Sequence, residues 1–178
     1  MRRRTSSWAA CLSSAGLSGV VPVSNSWAMR RRNGESARRV NLDTLTPEEV
    51  QSWQPGDRLL LNGKLLTGRD AAHKRIQELL DSGQGLPEGV DFTNRLIYYV
   101  GPVDPVRDEA VGPAGPTTAT RMDKFTEMML AKTGLIGMVG KAERGPVAIE
   151  AIKKHKAAYL MAVGGAAYLV SQAIRSAK

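Results

Sequence analysis

Cysteine is nearly absent. The 178 residues contain one, Cys11. That excludes an intrachain disulfide and any cysteine-rich metal site built by this chain alone. Aromatic residues are scarce at 5 %, so a core must be built from Leu, Ile, Val, Ala and Met. No apolar run reaches the roughly 20 residues that a bilayer requires. Trp8 to Val23 is broken by Ser and Gly, and the 14 residues Ala157–Val170 contain Gly164-Gly165. A membrane is therefore not an expected partner.

Acidic residues are missing from one region only. Residues 1–39 hold eight Arg against a single acid, Glu35, for a net +7. Residues 40–178 hold 17 basic and 16 acidic residues, for a net +1. A nucleic-acid-binding domain carries its basic patch on the folded part. The high charge of this chain belongs instead to its front, which argues against nucleic acid as a partner. Residues 1–39 read as a basic, unstructured extension, and residues 40–178 as the folded module. The extension has the Arg- and Ser-rich composition of a transit peptide, but a misplaced translation start would look the same. The expected location is the cytoplasm, or the mitochondrion if residues 1–39 are a transit peptide.

Along the body, Thr46-Pro47-Glu48-Glu49 has the signature of a helix start. Asn62-Gly63 lies between apolar runs in Arg58–Thr67, a strong signal for an antiparallel hairpin. Ile76, Leu79 and Leu80 give a helix over 69–80 one apolar face. From residue 96 the pattern becomes strand–helix alternation. Strands are expected at 96–100, 135–139 and 158–163, and helices at 118–131, 145–155 and 166–176. A long Gly/Pro loop fills 101–116. This is an α/β fold with a parallel sheet in its second half.

In open α/β sheets, ligands bind beyond the carboxyl ends of the strands. Three such ends are suggestive: Gly115-Pro-Thr-Thr-Ala-Thr-Arg121, Gly140-Lys141 and Gly164-Gly165. Thr117 and Thr118 are expected at a helix N-terminus, which favours an anion. Arg121 can clamp a carboxylate with two parallel bonds, and Lys141 adds a point charge. Arg69 is a further anion contact at the start of its helix. Together these groups suit a small dicarboxylate. The plainer alternative is a Thr cap, with Arg121 and Arg69 as solvated surface residues. Asp70 is expected as a helix cap, His73 as a surface or supporting residue, and His155 as part of a solvated helix end.

Five short motifs in order carry a resemblance. They are Thr67-Gly-Arg-Asp-Ala-Ala-His-Lys-Arg75, Tyr98-Tyr-Val-Gly-Pro102, Gly115–Asp123, Gly140-Lys141 and Val163-Gly-Gly-Ala-Ala167. Residues 40–178 resemble the C-terminal domain of class I fumarases, the module that also forms the β subunit of two-subunit fumarases and of L(+)-tartrate dehydratase. The resemblance implies a swivelling β/β/α domain that closes over a [4Fe-4S] cluster. Three cysteines of a partner α subunit or catalytic domain hold that cluster, whose open iron acts as a Lewis acid. It implies reversible hydration of fumarate to malate within a hetero-oligomer. Arg69, Arg121 and Lys141 would bind substrate carboxylates. Thr117 and Thr118 would face the reacting carbons, with Thr117 transferring a proton. No metal ligand is expected in this chain. Two departures are expected to matter. The family module continues past the third strand and helix, whereas this chain ends at Lys178, and the Arg-rich front is not a family feature. A tartrate dehydratase β subunit and a truncated, non-catalytic binding remnant are the alternatives.

Overall fold

Side-chain alternation with period two builds the sheet. Leu96, Tyr98 and Val100 enter one core, while Ile97 and Tyr99 enter the other. The same division separates Leu65 from Leu66 and Val139 from Met138. The computed structural model describes residues 20–23, 37–101, 103–162, 167–175 and 177. Its strands are β1 (Val20–Val23), β2 (Arg38–Asn41), β3 (Leu59–Thr67), β4 (Leu96–Tyr98), β5 (Gly137–Gly140) and β6 (Ala158–Met161). Its helices are α1 (Pro47–Gln51), α2 (Asp70–Asp81), α3 (Asp123–Thr133), α4 (Pro146–Lys154) and α5 (Ala167–Ala173). A 3-10 turn, Ala119–Met122, leads into α3.

The sheet runs β1-β3-β4-β5-β6, with β2 also paired to β3. β2 through β6 pair in parallel. The order β3-α2-β4-α3-β5-α4-β6 is the expected alternation. Helices α2, α3 and α4 bury Ala72, Ile76, Phe125, Met129, Leu130 and Ala151 on one face of the sheet. Burial of each large side chain is worth about 1.5–3 kcal/mol. The opposite face is covered by Val40, Leu42, Leu45, Val50, Val111, Ala114 and Ile174. At α1, the Thr46 side chain accepts from Glu49 N at 3.2 Å, as the helix-start signature predicts. Among the described residues, no helix is long and apolar enough to cross a membrane.

The antiparallel hairpin expected at Asn62-Gly63 does not form. Leu59–Thr67 is one nine-residue strand. Gly63 does take the positive φ of a turn residue, +114°, but the strand uses it to change partners. Residues 59–62 pair with β2 and residues 63–66 with β1. A Cβ at Gly63 would lie 3.1 Å from Asp43, whose carboxylate accepts from Lys64 N. Pairing on both halves outweighs the local turn preference. The antiparallel partner of β3 is β1, whose residues lie inside the segment 1–39 read as an unstructured extension.

Candidate active site

The site residues come from the carboxyl ends of β3, β4 and β5. As β3 ends, Gly68 N donates to Tyr98 O of β4 at 3.1 Å. The chain then turns into α2 through Arg69, an exposed residue that makes no side-chain cap hydrogen bond. The Arg69 guanidinium lies across Gly101, just beyond β4. A Cβ there would sit 3.0 Å from its Nε and Cζ. Only a residue without a side chain leaves that space.

Asp70 is not a cap. It is the first residue of α2, and its carboxylate receives Arg121 Nε at 3.2 Å and Nη2 at 3.0 Å. The carboxylate clamp expected of Arg121 is thus engaged by a carboxylate of its own chain. His73 is not a surface residue either, being 1 % exposed. Its Nδ1 lies 2.8 Å from Arg69 O. A carbonyl only accepts, so Nδ1 carries the proton and Nε2 is a bare acceptor. Nε2 is buried without a hydrogen-bond partner, and the ring packs against Tyr99 and Phe125. Burial holds its pKa below the ordinary imidazole value.

Thr117–Ala119 forms a strap that continues the sheet where β4 turns away. Thr117 N donates to Tyr99 O (2.6 Å), Lys141 N to Thr117 O (3.2 Å) and Ala119 N to Lys141 O (2.9 Å). Thr118 and Lys141 form a parallel bridge. The expected helix N-terminus at Thr117-Thr118 is therefore different in kind. The N–H groups of Thr117 and Ala119 bond to strand carbonyls instead of pointing at an anion. Thr118 precedes a four-residue 3-10 turn and its side chain caps nothing. Thr117 and Thr118 are half-buried, whereas Arg121 and Lys141 are exposed. The structure thus ties Thr118 directly to Lys141, Arg121 to Asp70, and Arg69 to the end of β4.

Sequence reasoning missed Arg144. Its side chain is 2 % exposed, and Nε donates to Asp123 Oδ1 at 2.7 Å. Nη2 donates to Thr126 Oγ1, and the guanidinium lies over the rings of Tyr99 and Tyr159. An Arg beside Gly-Pro at a helix start reads as solvated, and no local pattern marks this one as buried. His155, expected at a solvated helix end, follows α4 and lies 3.1 Å from Glu127. Gly164-Gly165 lies outside the described residues. Among the described residues, no group of three His, Cys, Asp or Glu could hold a metal ion. A cleft of about 510 Å³ lies between α3 and α4, lined by Glu127, Pro146, Val147, Glu150, Ala151 and Lys154.

A family model described as the fumarase C-terminus matches residues 20–178. The aerobic class I fumarate hydratase of Escherichia coli strain K12 is 37 % identical over 146 residues, 80 % of this chain and 26 % of that protein. The mitochondrial fumarate hydratase 1 of Leishmania major is 34 % identical over 136 residues, 75 % of this chain and 24 % of that protein. A protein named as an L(+)-tartrate dehydratase subunit beta, from Methanocaldococcus jannaschii, is 35 % identical over 133 residues, 74 % of this chain and 67 % of that protein. The chain spans about a quarter of the length of the fumarate hydratases it matches.

Proposed function

Because this chain belongs to the fumarase C-terminal family, we propose that it is the β subunit of a hydro-lyase that reversibly hydrates fumarate to malate. The observation that supports this reading is the strap. It brings the half-buried Thr117 and Thr118 beside Lys141. Arg121 opens from the same segment, and Arg69 reaches the adjacent strand end across Gly101. Three cations and two hydroxyls drawn from neighbouring strand ends suit a small dianion.

In this reading Arg69, Arg121 and Lys141 hold the two substrate carboxylates. Asp70 takes two of the five N–H donors of Arg121 and so fixes the direction of the rest. Thr117 transfers the proton, and Thr118 packs against the reacting carbons. A Thr hydroxyl is a poor base alone, so the neighbouring cations must stabilise its alkoxide. The described residues contain no cysteine, and an iron–sulfur cluster needs roughly three or four thiolates. These residues do not fit such a group. In this proposal a separate α subunit holds the [4Fe-4S] cluster. The relative named a subunit beta supports that two-chain arrangement.

The same relative favours a second reading, a tartrate dehydratase β subunit, with the same carboxylate contacts. The test is co-expression with an α chain carrying three cysteines, followed by assay of both acids. Turnover of fumarate supports the first reading, and turnover of tartrate alone supports the second. A complex with an intact cluster that converts neither acid sinks both and leaves a binding remnant. In an active complex, Thr117→Ala should lower kcat by about 10²–10⁴.

A further inference from the structure

Three non-glycine residues among the described residues have positive φ: Asn94, Ala142 and Lys156. Asn tolerates this conformation, and Lys156 follows the end of α4, where a left-handed residue is common. Ala142, at φ +63°, has neither reason. It follows Lys141 directly. Backbone strain persists only where the surroundings over-determine it, and it gathers at working sites.

The surroundings of Ala142 do over-determine it. Tyr159 OH donates to Ala142 O at 2.8 Å. Thr120 Oγ1 donates to Glu143 O at 3.1 Å. Asp123 receives Arg144 Nε on one oxygen and Gly145 N on the other, both at 2.7 Å. Upstream, Lys141 has both backbone groups bonded to the Thr117–Ala119 strap. None of these bonds involves the Lys141 side chain. They fix where it starts and leave its ammonium exposed.

We infer that the Asp123–Arg144 pair, Tyr159 and Thr120 form a positioning device. It forces Ala142 into a left-handed turn and so aims Lys141 from the same strand end as Thr118. The inference rests on the proposed role of Lys141 in carboxylate binding and assigns the residues that prepare it. Lys141 is then placed before substrate arrives, and binding need not order the turn.

Two mild variants test this in the complex with the α subunit. Ala142→Gly removes the strain but keeps every bond around the turn and serves as the control, and Tyr159→Phe removes only the hydroxyl that holds Ala142 O. Binding is read as fumarate protection of Lys141 from acetylation, located by mass spectrometry, and as the KM–kcat split. The expected result for Tyr159→Phe is weakened protection and KM raised about tenfold with kcat within about twofold, whereas Ala142→Gly keeps wild-type protection and KM with a melting temperature no lower. Protection and KM equal to wild type in Tyr159→Phe would overturn the inference and leave the proposed function standing. No fumarate protection of Lys141 in the wild-type complex would overturn the proposed carboxylate role, and the inference with it.

Discussion

Two Arg–Asp pairs in this molecule use the same chemistry in opposite surroundings. In each, the aspartate is the first residue of a helix, Asp70 in α2 and Asp123 in α3, where the helix dipole favours a negative charge. Arg121–Asp70 is a two-bond fork whose side chains are 57 % and 39 % exposed. Arg144–Asp123 has side chains 2 % and 15 % exposed. Water screens the first pair, so it adds no more than about 1 kcal/mol to stability. The second pair is shielded, and losing one partner strands the other in the core. The exposed pair is free to meet a ligand, and the buried pair can only hold the framework.

The contrast breaks most sharply at the buried pair. Arg144→Met should destabilise the fold by about 3–5 kcal/mol in chemical denaturation. A loss below about 1 kcal/mol would mean that both pairs are equivalent. Asp70→Asn should cost less than about 1 kcal/mol of stability, while KM for fumarate in the active complex rises about tenfold because Arg121 loses its orientation. A large stability loss with unchanged KM would reverse the roles assigned to the two pairs.

The smallest effect concerns pH. His73 senses both pairs: burial lowers its pKa most, the Arg69 carbonyl and Asp70 raise it, and Arg144 lowers it. The folded-state value lies below the unfolded value of 6.5. The neutral ring's contribution is therefore complete above pH 6.5 and declines as pH falls below it, levelling off past the folded value. Melting temperature should fall between about pH 7.5 and about pH 5.5. His73→Phe should remove that part of the slope. Asp70→Asn should steepen it, because a counter-charge is gone, and Arg144→Met should flatten it.

Much of the fold was legible in the sequence because its signals are periodic and local. The strands at 96–98, 137–140 and 158–161 follow apolar runs bounded by Gly, and α2 follows its apolar spacing. The misreadings share one cause, which is that a partner distant in sequence outweighed a local preference. Asn62-Gly63 has the chemistry of a tight turn, yet β1 and β2 each claim half of the strand around it. Asp70 has the chemistry of a cap, yet Arg121, 51 residues away, takes its carboxylate. His73 sits among charged neighbours in sequence, yet it faces Tyr99 and Phe125 across the core.

For the candidate site, the sequence alone determined which chemical groups stand at the strand ends: Thr117, Thr118, Arg121, Lys141 and Arg69. It also determined that a chain with only Cys11 cannot supply the thiolates of a cluster. Both follow from composition and strand–loop order, which need no third dimension. The tertiary structure alone decided that Thr118 pairs with Lys141, that Arg121 already holds Asp70, and that Arg144 is buried beneath the turn. The physical reason is that ion pairs and strand bridges depend on distance in space, and residues far apart in the chain meet only when parallel pairing sets the strands in register.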